Sequence, residues 1–368
     1  MSLSDVPKVS AAPGDLLPDL LRSDSGTIID QADQWPARRA EIAAHLLPLA
    51  YGPLPPTPSC TDCELLHVAT MRQLGGAQLL SCRVRPLGMD SFTLRVFVPP
   101  GTQPCPVVLN GDGCWHYATD DVIAAVLVRG LIFAQFNRVE IAPDPQVPAG
   151  SWPPHAALAS WAWGYHRAID ALLQGRQQSN QVALGRIDPQ RIAVVGHSRG
   201  GKAALLAGAT DTRIALTSAN NSGAGGAGCF RWLGPGAESL ADVTNAFPHW
   251  FAPALQQFSG REQALPFDQH FLKALIAPRA LLTTEALGDT WANPQGSWLT
   301  HQAAMAVYRL LGVPAQLAMA CRPGGHDHSL ADWHTLLDFC DSIFSGPVRP
   351  RGLDVTPLAD LPGAGPTR

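Results

Sequence analysis

The sequence predicts an α/β fold in which a doubly wound, mainly parallel sheet is sandwiched by helices. Short apolar strands alternate with helical segments along most of the 368 residues, a pattern typical of parallel strands joined by crossover helices. Segments 106–110 and 131–136 are almost continuously apolar and end in polar residues, as central strands buried on both faces do. Segment 191–195 is an apolar strand that runs directly into a glycine-flanked serine and a helix.

The N-terminal third is predicted to hold a lead-in, two helices and most of the early strands. Residues 1–34 form an irregular lead-in, and residues 35–51 have helical apolar spacing that ends at Gly52-Pro53, a helix stop. A second helix is predicted over 120–129. Strand-like segments lie at 64–70, 78–83, 91–98, 106–110 and 131–136.

The remainder is predicted to complete a single catalytic domain over residues 35–346. A helix over 152–173 precedes the serine strand, and residues 219–267 form a long insertion rich in glycine and aromatic residues. Residues 347–368 form a tail rich in proline and glycine. The later strands are predicted at 214–218, 280–284 and 315–320, and the later helices at 298–311 and 330–344.

Composition excludes several classes of protein. With 46% hydrophobic and 15% charged residues the chain suits a globular enzyme, and a net charge of −4 without a basic run gives no reason to expect a nucleic-acid partner. No apolar stretch reaches the roughly 18 residues that span a bilayer, so no membrane partner is expected. The first residues show no signal peptide, which predicts a cytoplasmic protein or a trimmed periplasmic or secreted form. We expect a monomer.

Cysteine usage argues against a disulfide scaffold and against a metal site. Eight cysteines are few for a chain of this length. Cys60 and Cys63 have CxxC spacing, but no second ligand pair lies at the distance of a zinc ribbon. We interpret them as a loop pair, free or oxidised, and expect neither a metal nor a cofactor.

The serine at the end of segment 191–195 is the strongest functional signal. Residues 196–200 read Gly-His-Ser-Arg-Gly and lead into a run of small, helix-compatible residues. A serine on so sharp a strand-to-helix turn is strained and exposed at the sheet edge, where backbone N–H groups at the helix N-terminus can stabilise an oxyanion. Ser198 is therefore predicted to be a nucleophile, and the alternative is an ordinary glycine-rich turn.

A base for Ser198 is expected after the last strand, because this type of sheet presents nucleophile, acid and base in that chain order. The loop after strand 315–320 contains His326, which follows two glycines, and His328 two residues later. We favour His326 as the base and keep His328 as its rival.

The acid is expected on the loop after the preceding strand. Asp289 stands there behind a glycine, whereas Glu285 lies closer to the strand end. An acid in this role stays ionised and fixes the tautomer of the imidazole. Asp289 is the first choice and Glu285 the second.

Several motifs together resemble the glucuronoyl esterases of carbohydrate esterase family 15, within the α/β-hydrolase superfamily. The resemblance runs from about residue 35 to residue 345, and its N-terminal part resembles bacterial members labelled acetylxylan esterase-like. The motifs are 196–202 (Gly-His-Ser-Arg-Gly-Gly-Lys), 220–226 (Asn-Asn-Ser-Gly-Ala-Gly-Gly), 268–270 (Asp-Gln-His), 274–279 (Ala-Leu-Ile-Ala-Pro-Arg), 161–164 (Trp-Ala-Trp-Gly), 325–326 (Gly-His) and 332–333 (Asp-Trp).

The resemblance implies an α/β-hydrolase fold and a serine esterase that cleaves uronate esters between xylan and lignin alcohols through an acyl-enzyme. It implies that Ser198 is the nucleophile and His326 the base. It also implies that Arg199 assists the oxyanion hole, that Lys202 contacts the uronate and that Trp291 packs on the sugar. Lys202 follows Ser198 by one helical turn, so both side chains share a helix face.

The chain departs from the family at the acid. Fungal members carry the acid at the position of Asn221, whose amide cannot be an anionic partner, and some bacterial members use a carboxylate after the later strand, where Asp289 stands. His197 and Asp327 replace two fungal cysteines, so no disulfide is expected beside the site. Trp250, in the insertion, is a candidate for a sugar-binding wall, although core packing is an equally good interpretation.

These observations leave three functions open. The first is a glucuronoyl methylesterase-like enzyme whose partner is a carbohydrate ester, either glucuronate-bearing xylan or a smaller analogue. The second is an acetylxylan esterase or another carboxylesterase for small esters. The third is a catalytically weak, carbohydrate-binding relative.

Overall fold

The structure, a computed structural model, describes residues 16–145, 155–178, 184–346 and 349–354. Within these ranges, nine strands form one sheet in the order β1-β2-β3-β5-β4-β6-β7-β8-β9. The strands are β1 (Thr61–Met71), β2 (Ala77–Pro86), β3 (Phe92–Val98), β4 (Cys105–Asn110), β5 (Ile132–Phe136), β6 (Ile187–His197), β7 (Leu216–Asn220), β8 (Ala280–Ala286) and β9 (Leu317–Arg322).

The sheet is parallel from β5 through β4 and β6 to β9, and antiparallel only where β1, β2 and β3 join it. The doubly wound, mainly parallel sheet predicted from the sequence is therefore confirmed. From β4 the chain leads to β5 on one side and later to β6 on the other. Ligand sites of open α/β sheets lie at such a reversal, beyond the carboxyl ends of the strands.

Helices cover both faces of the sheet. One face carries α3 (Ala157–Gln178), α4 (Arg199–Thr210) and α8 (Pro294–Leu310), and the other carries α2 (Asp120–Val128) and α9 (Leu330–Phe344). Val194 of β6 contributes to the first core and its neighbour Val195 to the second, because successive strand residues point to opposite faces. The helices are α1 (Trp35–Leu46), α2 (Asp120–Val128), α3 (Ala157–Gln178), α4 (Arg199–Thr210), α5 (Leu240–Ala246), α6 (Pro253–Gln256), α7 (Gln269–Ala274), α8 (Pro294–Leu310) and α9 (Leu330–Phe344).

Element boundaries differ from the sequence-based expectations by a few residues. The helix predicted over 35–51 is α1 followed by a single wider turn at Leu47–Tyr51. The helix predicted over 298–311 begins earlier because the Asn293 side chain accepts a hydrogen bond from Gly296 N–H, which caps α8. The predicted start of α3 at 152 lies outside the described residues, as do 1–15 of the lead-in and most of the tail.

Two further features bear on the expectations. All eight cysteines are free thiols in the structure, with Cys60 exposed and Cys63 half-buried. Among the helices that the structure describes, none is long and apolar enough to cross a membrane.

Candidate active site

Ser198 lies on a strained turn between β6 and α4. Its φ of 53° and ψ of −122° are rarely adopted by a residue with a side chain. Two glycines make the turn possible: a Cβ on Gly196 would lie 2.1 Å from Gly200 O, and a Cβ on Gly200 would lie 2.0 Å from the carboxylate of Asp112. The G-x-S-x-G spacing is therefore a steric requirement of this turn, and it exposes the hydroxyl at the sheet edge.

The structure brings Ser198, His326 and Asp289 into one hydrogen-bonded line. His326 Nε2 lies 3.0 Å from Ser198 Oγ, and His326 Nδ1 lies 2.5 Å from Asp289 Oδ2. Because a carboxylate can only accept, Nδ1–H donates to Asp289 and leaves the Nε2 lone pair facing the hydroxyl. The side chain of His326 is 43% exposed, whereas that of Asp289 is 4% exposed.

Backbone pairing holds the acid and base loops together beyond the ends of β8 and β9. Leu287 N–H donates to Arg322 O at 2.8 Å, and Gly288 N–H donates to Gly324 O at 2.9 Å. A Cβ on Gly288 would lie 2.5 Å from Gly324 O, so the close approach requires glycine. The side chain of Arg322 secures the base loop by bonding to Asp332, Asp327 Oδ1 and Asp327 O.

The two rival residues lie apart from this line. Glu285 is fully buried within β8, and burial raises the pKa of its carboxyl to about 8. His328 is buried against Trp333 with ring centroids 4.8 Å apart, and burial lowers the pKa of its imidazole to about 3. Among the contacts of the described residues, neither makes a hydrogen bond to Ser198 or His326.

Asn221 connects the loops that carry Asp289 and His326. Its Oδ1 accepts the N–H of Ala286 at 2.7 Å, and its Nδ2 donates to Asp327 O at 3.2 Å. A carboxylate at this position would lack the second of these bonds, because it has no N–H to donate. The amide therefore serves a bridging role that the sequence alone did not indicate.

His197 packs against the ring of His326. Its ring centroid lies 4.7 Å from that of His326, and its Nδ1 lies 2.5 Å from Asn220 Oδ1. Burial lowers the pKa of His197 to about 3, so the ring is neutral beside the base. The backbone N–H of His197 donates to the buried carboxylate of Asp112 at 2.7 Å, which ties the turn to the loop after β4.

A cleft of about 150 Å³ opens beside Ser198. Of the residues selected from the sequence, six line it: Ser198, Arg199, Lys202, Trp250, Trp291 and His326. Trp291 is 53% exposed at the rim, whereas Trp250 is 3% exposed and stacked on Phe247 at 3.9 Å. The lining residues are Ser198, Arg199, Lys202, Asn221, Ser222, Gly223, Glu238, Phe247, Trp250, Trp291, Ala292 and His326.

Lys202 is held as a buried cation at the base of this cleft. Its Nζ donates to Ser222 O at 2.7 Å and to Ala224 O at 2.6 Å, and it lies 3.6 Å from Glu238 Oε2. Burial lowers the pKa of the amine from its ordinary value, against the pull of the Glu238 carboxylate. Glu238 was missed by sequence reasoning, because its place in the site depends on a fold of the insertion that no local motif signals.

Arg199 directly follows Ser198 and also lines the cleft. Its Nη1 donates to Asp144 Oδ2 at 2.7 Å, and its guanidinium carbon lies 4.7 Å from the ring centroid of Trp250. Asp144 is a second residue that sequence reasoning missed. No cluster of His, Cys, Asp and Glu that could hold a metal ion occurs among the residues described.

A strained serine, an imidazole and a buried carboxylate in line on an α/β sheet define a serine ester hydrolase of the α/β-hydrolase class. The family model described as "Glucuronyl esterase, fungi" matches residues 88–312. The match covers more than half of the chain, and the chain belongs to the glucuronyl esterase family.

Similar proteins agree with this membership. The chain is 30% identical over 344 residues to 4-O-methyl-glucuronoyl methylesterase 1 of Wolfiporia cocos, with 87% of this chain and 78% of that protein covered. It is 38% identical over 219 residues to carbohydrate esterase MZ0003 of an unknown prokaryotic organism, covering 55% of this chain and about half, 48%, of that relative's length. A family 15 glucuronoyl esterase structure from Caldicellulosiruptor kristjansonii superposes with a TM-score of 0.78 at 29% identity, covering 95% of this chain and 96% of that one.

Proposed function

We propose that the protein hydrolyses esters of 4-O-methyl-glucuronate, of the kind that joins xylan to lignin alcohols. The observation that carries this proposal is the buried pair of Lys202 and Glu238 in the cleft beside Ser198. A hydroxyl-rich acyl group can bond to such a pair. Lys202 and Glu238 already face each other, and an acetyl group carries no hydroxyl that could bond to either of them, so the pair can favour only the sugar-bearing ester.

The proposed reaction is acyl transfer in two steps. Ser198 Oγ attacks the ester carbonyl while its proton moves to His326 Nε2 across 3.0 Å. Asp289 stabilises the imidazolium, and collapse of the tetrahedral intermediate breaks the bond to the alcohol, which takes the proton from His326. Water then attacks the acyl-enzyme with His326 again as base, and this releases the uronic acid and restores Ser198.

The oxyanion is proposed to lie between the N-terminus of α4 and Arg199. Backbone N–H groups at a helix N-terminus carry partial positive charge, and a preorganised cation nearby adds to the stabilisation. One such donor typically contributes about 10²–10³ in kcat. The backbone strain at Ser198 keeps the hydroxyl at this helix end.

The sugar is proposed to bind between Lys202, Glu238 and the two tryptophans of the cleft. Trp291 at the rim offers an exposed ring face for the apolar side of the sugar. The ring centroid of Trp250 lies 5.8 Å from Lys202 Nζ, so it forms the wall behind the cation.

Within the family, we propose that the chain belongs to the bacterial branch labelled acetylxylan esterase-like. The residues that carry this resemblance are structural: Trp35 is buried, and Tyr51 Oη donates to Gly225 O at 2.8 Å in the segment that shapes the cleft.

The test compares hydrolysis of a methyl glucuronate ester with that of p-nitrophenyl acetate. We expect turnover of the uronate ester, loss of that turnover in Ser198→Ala and labelling of Ser198 by a fluorophosphonate. Strong acetate turnover with none on the uronate ester would replace the proposal by a small-ester carboxylesterase. Tight sugar binding without labelling or turnover would indicate a carbohydrate-binding relative.

A further inference from the structure

The carboxylate of Asp144 accepts hydrogen bonds from two separate parts of the chain. Its Oδ2 accepts a hydrogen bond from Arg199 Nη1 at 2.7 Å. Its Oδ1 accepts one from Trp250 Nε1 at 2.9 Å and lies 3.0 Å from His249 Nε2. Asp144 follows β5, whereas His249 and Trp250 belong to the insertion, so this side chain joins the insertion to the nucleophile turn.

The Asp144 carboxyl is an anion in this environment. Its side chain is 9% exposed, and burial alone would raise its pKa. The hydrogen bonds from Trp250, Arg199 and His249 outweigh burial and hold the pKa below its ordinary value. Bonds between ionised partners of this kind are short and directional.

The Arg199 guanidinium is held by two aromatic rings and by the carboxylate of Asp144. Its guanidinium carbon lies 4.7 Å from the ring centroid of Trp250 and 5.0 Å from that of Phe247. Nη1 bonds to Asp144, and Nε is buried without a partner among the residues that the structure describes. Within the described part of the chain Nη2 bonds to nothing, so this donor remains for a ligand.

We propose that Asp144 is the positioning residue for Arg199, holding its guanidinium beside Ser198 and balancing its charge. This inference rests on the proposed function, because it assigns a partner to the arginine that assists the oxyanion. The insertion takes part through His249 and Trp250, which hold Asp144 in turn.

Charge balance matters because the reaction changes the charge of the acyl group. The ester is neutral, whereas the released uronic acid is an anion at neutral pH. Two cations line the cleft, and each has its own carboxylate: Asp144 for Arg199 and Glu238 for Lys202. Removal of Asp144 leaves an uncompensated positive charge that retains the product.

The experiment is a double-mutant cycle of Asp144→Asn and Arg199→Gln, measured on a methyl uronate ester and on p-nitrophenyl acetate. Loss of a well-placed donor costs about 10²–10³ in kcat, so we expect mispositioning by Asp144→Asn to cost about 10-fold. We also expect a several-fold lower inhibition constant for glucuronate. In the Arg199→Gln background both effects should disappear, because the residue being positioned is gone.

Matched variants separate positioning from folding. Asp341→Asn removes a carboxylate from another arginine pair, since Asp341 Oδ2 lies 2.6 Å from Arg129 Nη1 on the α2–α9 face, and it should change neither constant. Trp250→Phe keeps an aromatic ring but removes the indole N–H that donates to Asp144. It should change kcat and the inhibition constant in the same direction as Asp144→Asn, with a smaller effect.

Two results would overturn the proposal. One is that the two substitutions affect kcat independently, and the other is that Asp144→Asn leaves the inhibition constant for glucuronate unchanged. The measurement on p-nitrophenyl acetate separates the proposal about Asp144 from the proposed function. A wild-type enzyme that turns over acetate but not the uronate ester contradicts the proposed function, while the cycle on acetate still decides the role of Asp144.

Discussion

The loops that carry the reacting groups and the wall that lines the cleft are specified by the sequence in different ways. Ser198, Asp289 and His326 each follow a strand of the parallel part of the sheet, so topology alone brings them to one edge. Lys202, Glu238 and Trp250 meet only because residues 219–267 fold back over that edge. The proposed reacting groups are therefore positioned by strand order, and the residues proposed to bind the sugar are positioned by long-range packing.

This difference predicts how substitutions should act. Changes in the strand-end loops should lower kcat for every ester, since all esters share the acyl transfer step. Changes in the cleft wall should act on the uronate ester and spare acetate. The kinetic experiments below test whether substitutions in the strand-end loops and in the cleft wall have these different effects.

The largest effect is expected for Asp289→Asn. The new amide would donate to His326 Nδ1 and force the tautomer that carries its proton on Nε2, so the ring could no longer accept the proton of Ser198. We expect kcat to fall about 10³–10⁴-fold on both the uronate ester and p-nitrophenyl acetate, measured under saturating substrate.

Glu285→Gln is the matched control, because it makes the same chemical change in a buried carboxyl four residues earlier. Its activity should stay close to that of the wild type. If Glu285→Gln abolished turnover while Asp289→Asn retained it, the assignment of the acid would be wrong.

The next largest effect is expected in the cleft wall. Glu238→Gln removes the charge that faces Lys202 and any sugar hydroxyl bonded to it. Hydrogen bonds to charged groups contribute about 1.5–3 kcal/mol, so KM for the uronate ester should rise about 10–100-fold with little change for p-nitrophenyl acetate.

Lys202→Met should show the same selectivity in steady-state kinetics. Its control is Lys273→Met, since Lys273 is also fully buried and donates to Ser297 O and Thr300 Oγ1 at 2.9 Å, away from the cleft. Both variants should lose stability, but only Lys202→Met should raise KM. Equal losses on acetate and uronate ester would show that the two regions are not separable.

The sequence predicted the strand-end region in detail because its constraints follow from a short motif and from the strand order. Gly196 is required by its contact with Gly200 O within the motif, whereas Gly200 is required by the carboxylate of Asp112 on the loop after β4. A paired set of loops after β8 and β9 follows from the strand order. The choice of His326 over His328 depended on the glycines before it. The structure places His326 against Ser198 and buries His328 against Trp333.

The wall could be predicted only in part. Lys202 and Trp291 were selected because the resemblance to glucuronoyl esterases implies a role for each, and the position of Lys202 one helical turn after Ser198 agrees with it. Glu238 and Asp144 carried no signal, since neither lies in a motif and each reaches the site through contacts more than 30 residues away in sequence. The role of Asn221 was likewise hidden, because its amide bonds to two loops that only the fold brings together.

A smaller effect is expected on the pH dependence of stability, and it comes from His328 on the loop after β9. The pKa of buried His328 is lowered to about 3, whereas the unfolded residue titrates near its ordinary 6.5. Below about pH 6.5 His328 binds a proton in the unfolded chain but not in the native state. The free energy of unfolding therefore falls as pH falls, by about 1.4 kcal/mol per pH unit for this group.

Denaturant unfolding at pH 7 and pH 5 measures this slope. His328→Phe replaces the imidazole by an apolar ring that can pack on Trp333, and it should make the dependence of the unfolding free energy on pH shallower. His334→Phe, at an exposed position of α9, should leave it unchanged. A slope that His328→Phe does not reduce would show that His328 is protonated in the native state.

The smallest effect is expected for Trp291→Ala at the rim of the cleft. An exposed ring contributes about 0.5–1.5 kcal/mol through stacking, so KM for the uronate ester should rise about 2–10-fold while kcat is retained. Leu233→Ala removes a comparable exposed apolar side chain from the insertion and should change neither constant. Because Trp291 follows the acid by only two residues, it tests the boundary between the regions. A loss of kcat on acetate would show that the indole supports the Asp289 loop, and Trp291 would then belong with the reacting groups rather than with the wall.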